Sequence, residues 1–80
     1  MSIESVAEKI KGEKRKEIME SVISNNKHME SKHQYHPTIL PFLFAEWHKH
    51  FPNIKQSINC IGCRKAVTKF WTNVTKYWEE

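Results

Sequence analysis

The sequence predicts an all-α fold: a C-terminal antiparallel helical hairpin, 38–78, preceded by an amphipathic N-terminal helix, 2–25. Three stretches predict it. Between Asn59 and Trp78, apolar residues fall at Cys60, Cys63, Val67, Phe70, Trp71, Val74 and Trp78, in steps of three and four that trace one stripe of a helix. Between Thr38 and Phe51 the same spacing joins Leu40, Leu43, Phe44, Trp47 and Phe51. Near the N-terminus, Ile3, Val6, Ala7 and Ile10, then Ile18, Met19, Val22 and Ile23, repeat the pattern twice.

Each element has its own start and stop signals. Ser2 is positioned to cap the first helix. Gly12 interrupts it within the run KGEKRK. A glycine there costs roughly 1 kcal/mol relative to alanine, so 2–25 reads either as one helix with a weak middle or as two short ones. Its polar side mixes Glu8, Lys9, Glu13, Lys14, Lys16, Glu17 and Glu20, the pattern of a solvated face with local ion pairs. Residues 26–37 are polar and aperiodic and read as a linker; they hold His28, His33 and His36. His36-Pro37 forces an extended residue. Thr38 then caps the next helix, with Pro41 tolerated in its first turn and Pro52 ending it. Phe42 lies off the stripe and is expected to pack under the N-terminal helix. Ser57 or Asn59 is expected to cap the last helix. Trp47, Phe51, Phe70, Trp71 and Trp78 are expected to build the core.

Composition limits the function. Eighty residues make one small domain, 1–80, that buries only about 60% of its unfolded surface. A cleft with several supporting shells does not fit in it. Eight of the nine aromatics lie after residue 40, which places the core in the C-terminal half and argues against disorder. No apolar run is long enough to span a membrane, and the N-terminus lacks the apolar segment of a signal peptide. With two cysteines only, this points to the reducing cytoplasm. The formal net charge is +4. Between residues 37 and 78, six basic residues face one acid, a balance that favours an acidic partner.

Cys60-Ile61-Gly62-Cys63 is the one motif with chemical content. Two thiolates at this spacing can share a metal or form a redox pair, and a helix N-terminus lowers their pKa. A structural zinc needs four ligands; His48 and His36 are the candidates to complete Cys60 and Cys63. Both cysteines also lie on the apolar stripe, and burial as small hydrophobes is the favoured reading, ahead of a metal site and then a redox or regulatory disulfide. Other catalysis finds no support. Six of the nine acids lie on the mixed-charge faces before residue 37, and the two glycines make no phosphate loop. The chain is therefore expected not to be an enzyme.

The other face of the last helix carries Arg64, Lys65, Thr68, Lys69, Thr72, Asn73 and Lys76, with no acid before Glu79. Such a row can meet phosphates or base edges if the helix enters a groove. In a helix-turn-helix reading, 38–51 is the support and 59–78 the recognition helix, although the connector is long for that module. An acidic protein surface suits the same face.

Between Pro37 and Trp71, the segments HKHFPN and CIGCRKAVTKFW resemble small accessory proteins of tailed phages and prophages of Bacteroidetes-type hosts. The resemblance covers under half the chain. It implies a regulator, a host-takeover factor or an inhibitor of host defence, acting in the host cytoplasm. The expected function is a non-enzymatic basic binding protein engaging nucleic acid or a nucleoprotein through its last helix. One alternative is an anti-CRISPR-type inhibitor that binds a nucleic-acid-guided nuclease. Another is a virion assembly protein that oligomerises through Ile18 and Val22 of the N-terminal helix.

Overall fold

The last helix touches all three others, and the fold is best followed from it. The computed structural model describes residues 3–79. Its four helices are α1 (Ile3–Lys9), α2 (Glu13–Lys32), α3 (Ile39–His50) and α4 (Ile61–Glu79), with no strand among the described residues. The all-α expectation holds. Helix α4 packs against α1, α2 and α3, and α2 also packs against α3. The stripe of α4 narrows to Val67, Trp71 and Val74, each fully buried. It meets Val6, Ala7 and Ile10 from the N-terminus, Ile18 and Val22 of α2, and Leu40, Leu43, Phe44, Trp47 and Phe51 around α3. Of the expected core aromatics, Trp47, Phe51 and Trp71 are buried, whereas Phe70 and Trp78 lie partly covered at its margin. Phe42 is also partly covered, with the Lys14 ammonium of α2 5.5 Å from its ring centre.

Gly12 divides the N-terminal segment into two helices. Its φ of 65° lies in the left-handed region, which glycine enters without the Cβ penalty. The break leaves the last carbonyls of α1 without helical partners, and Arg15 supplies them. Its guanidinium donates to the carbonyls of Ala7 at 3.1 Å and Ile10 at 3.0 Å. It also lies 4.9 Å from a Trp78 ring centre, and the Trp78 indole N–H donates to the same Ala7 carbonyl at 3.1 Å. One cation and one indole thus fasten α1 to both α2 and α4. The expected cap at Ser2 lies outside the described residues.

The expected linker is a correction: α2 runs on through Lys32, so only 33–38 connects it to α3. The apolar stripe of α2 continues past Val22 as Asn25 and Met29, in steps of three and four. A polar residue occupies one core position and disguises the period. Asn25 is 2% exposed, and its side-chain oxygen accepts the His36 N–H at 2.9 Å. That bond satisfies the buried side-chain oxygen and pins the connector to the helix.

Two further expectations change. Ile18 and Val22, expected as an oligomer contact, are buried in the chain's own core. Thr38 makes no side-chain cap bond. Instead, His36 Nδ1 accepts the backbone N–H groups of Thr38 and Ile39, each at 3.2 Å.

Helices α3 and α4 pack together, but the expected antiparallel hairpin is a correction: residues 51–60 between them are not the tight turn it requires. Leu40 and Pro41 share a cleft with Ile61 and Arg64, while Phe51 meets Phe70 with ring centres 5.3 Å apart. The connector therefore runs back along α3, and α4 begins beside the start of α3.

Candidate functional site

Two features of α4 carry the sequence-predicted residues, its basic face and its first turn. At about 100° per residue, Lys65, Lys69, Thr72 and Lys76 fall within about 60° of one another around the helix. Lys65, Lys69 and Lys76 are exposed, and Thr72 and Asn73 are half-buried. The rise of the helix spreads the three lysines over roughly 16 Å.

Arg64, Thr68 and Thr72 are used internally. The Thr68 hydroxyl donates to the Arg64 carbonyl at 2.8 Å, and the Thr72 hydroxyl to the Thr68 carbonyl at 2.8 Å. Arg64 donates through Nε to the Ile58 carbonyl, and its guanidinium lies 5.9 Å from the Tyr35 ring centre. Arg64 therefore anchors the connector and the 33–38 loop. Of the seven predicted contact residues, the outward-facing charges reduce to the three lysines.

The single acid of the C-terminal half before Glu79 does not oppose them at the surface. Glu46 is 4% exposed and accepts Lys49 at 2.9 Å and Lys14 at 3.4 Å on one carboxylate oxygen. Burial pushes its pKa up, but the hydrogen bond from Lys49 and the charge and hydrogen bond of Lys14 outweigh it and hold the carboxyl below its usual value. Sequence reasoning missed this residue because nothing local distinguishes a buried glutamate from a solvated one. Acidic side chains do border α4 at its far end, where the Tyr77 hydroxyl donates to Glu8 of α1 at 3.2 Å.

At the other end, Cys60 occupies the cap position expected of Ser57 or Asn59. Its carbonyl accepts the Arg64 N–H at 3.0 Å, and its sulfur accepts the Cys63 N–H at 3.4 Å. The burial expectation fails: Cys60 is exposed and Cys63 half-covered, both as free thiols. The helix starts at Ile61, so Cys60 precedes the stripe and the connector does not cover it. The Cys63 thiol and backbone N–H both stabilise the Cys60 thiolate, with Arg64 adding its charge, and its pKa is lowered. The hydrogen bond to Cys60 raises that of Cys63.

The zinc set is not assembled. Among the described residues no three His, Cys, Asp or Glu side chains converge to hold a metal ion. His48 packs on the Phe44 and Trp47 rings, and His36 is occupied at the start of α3.

Asn59 and Ile61, on either side of Cys60, line a cleft of about 570 Å³ whose opposite wall is Tyr35, His36, Leu40 and Pro41. Sequence reasoning did not find it, because residues 33–41 and 58–64 meet only in the fold. No family model, curated protein or solved structure matches this chain. Among the described residues, no helix is long and apolar enough to cross a membrane.

Proposed function

We propose that the protein is a small non-enzymatic binding module that engages a polyanion, nucleic acid or a nucleoprotein, through the lysine row of α4. The observation that carries this reading is the alignment of exposed Lys65, Lys69 and Lys76 on one face, while Glu46 is withdrawn into the interior. Thr68 and Thr72 spend their hydroxyls on their own helix, which favours phosphate contacts over base readout. On the resemblance of HKHFPN and CIGCRKAVTKFW to phage accessory proteins, such a module would act in an infected or lysogenic host.

Magnitude sharpens the test. Three phosphate contacts give a salt slope near −2.7 and about a 40-fold loss of affinity between about 50 and 200 mM salt. Anisotropy titrations with labelled single- and double-stranded DNA and RNA should show that slope. A Lys65→Glu/Lys69→Glu/Lys76→Glu variant should lose binding while keeping its helical circular dichroism. No binding of any nucleic acid at low salt would overturn the reading and leave the acidic surface of a host protein as the partner for the same row.

A further inference from the structure

We propose that Cys60 and Cys63 form a reversible dithiol–disulfide site, in which exposed Cys60 attacks an anionic low-molecular-weight disulfide and Cys63 resolves the product. The proposal concerns the first turn of α4 and is independent of the lysine row.

The two cysteines are unequal in the way such a pair requires. Cys60 is open to solvent and Cys63 half-covered. The Cys60 sulfur lies 3.4 Å from the Cys63 backbone nitrogen, directly over the residue carrying its partner thiol. A Cβ placed on Gly62 would come only to ordinary contact with that sulfur, at 4.0 Å, so nothing at this position screens it. The hydrogen bonds that stabilise the Cys60 thiolate also make it the better nucleophile at neutral pH. Helix capping alone does not explain the residue, since Ser, Thr, Asp and Asn are the preferred caps. A metal does not explain it either, since among the described residues no third ligand approaches.

The neighbouring cleft suggests the co-substrate. Its walls combine Ile58, Ile61 and Leu40 with Arg64, His33 and His36, which suits a small disulfide bearing carboxylates. Glutathione disulfide is a probe of that class.

The chemistry balances in two steps. The Cys60 thiolate attacks one sulfur of the probe, forming a mixed disulfide and releasing one glutathione thiolate. The Cys63 thiol then loses its proton and attacks the Cys60 sulfur, closing the intramolecular disulfide and releasing the second glutathione. The protein dithiol is oxidised by two electrons and the probe is reduced to two thiols.

Intact-mass spectrometry of the reduced protein mixed with glutathione disulfide tests each step. The wild type should lose two hydrogens and carry no adduct. Cys63→Ser should accumulate a glutathione adduct on Cys60, and Cys60→Ser should form its adduct on the order of tenfold more slowly. Arg64→Gln should slow exchange with glutathione disulfide more than with uncharged bis(2-hydroxyethyl) disulfide, where only its support of the Cys60 thiolate is lost. Equal adduct rates in the two single variants, or a wild type that ends as a stable adduct, would overturn the dithiol site. An equal effect of Arg64→Gln on both disulfides would overturn the anionic co-substrate.

Discussion

The indole N–H of Trp71 donates to the backbone carbonyl of Leu43 at 3.0 Å across the α3–α4 interface. Trp71 is fully buried, so its one polar atom needs this partner, and the bond fixes how α4 lies on α3. Trp71→Phe keeps much of the ring and removes the donor; the expected loss is about 1–3 kcal/mol in urea unfolding. Trp71→Ala also opens a cavity and should cost about 3–5 kcal/mol. Equal effects of the two substitutions would show that the hydrogen bond, rather than the volume, dominates.

The break at Gly12 makes a second prediction. Nothing lies within 4 Å of a Cβ added there, so the penalty of substitution is conformational. Gly12→Ala and Gly12→Asn should each cost about 1–3 kcal/mol, because a ψ of −134° puts Gly12 outside the left-handed helical well that Asn tolerates. Thermal unfolding should show the two equally destabilised; a clear advantage of Asn would place the residue in that well.

Arg15 should be needed for α1 to dock. Arg15→Ala leaves the Ala7 and Ile10 carbonyls short of donors and should destabilise by about 1–2 kcal/mol. Hydrogen exchange should rise first in residues 3–10. Arg15→Lys should rescue only in part, because an ammonium lacks the planar fork that spans two carbonyls.

Helix α3 offers a contrast between a predicted cap and the one used. Thr38→Ala should be close to neutral, since Thr38 makes no cap bond. His36→Ala removes the acceptor of two N–H groups and should cost about 1 kcal/mol. The reverse order in chemical denaturation would restore Thr38 as the cap.

Glu46 sets the acid limb of stability. Its folded pKa is depressed, so its contribution is complete above the unfolded value near 4.5 and is lost as pH falls through the folded one. Glu46→Gln should flatten the fall of stability in that window. His50 acts higher: burial, with Lys9 and Lys49, lowers its pKa from 6.5. Its contribution is complete above that value and falls away below it as the unfolded chain takes up protons first. Denaturant midpoints from about pH 3 to 8 separate the two.

The helices themselves were legible in the sequence because periodicity is local. The stripes of α3 and α4, the break at Gly12 and the basic row of α4 all follow from residue spacing and side-chain type. The second half of α2 was not legible: Asn25 at a core position breaks the apolar count, and only the distant N–H of His36 makes its burial tolerable. Capping was legible only in part for a related reason. Thr38 stands at the N-cap of α3 as expected, but without a side-chain bond, and the N–H groups there go to the His36 ring. At α4, Cys60 rather than Ser57 precedes the first turn.

Tertiary structure alone decided which polar groups face water. Charge was countable from the sequence, but whether Glu46 would offset the lysines at the surface depended on Lys14, which is far away in the chain. Equally, Arg64 reads as a contact residue until the Ile58 carbonyl and the Tyr35 ring are placed around it. The exposure of Cys60 depended on where α4 begins relative to its connector. Spacing along a helix is written residue by residue, whereas desolvation is a sum over neighbours that only the packed chain brings together.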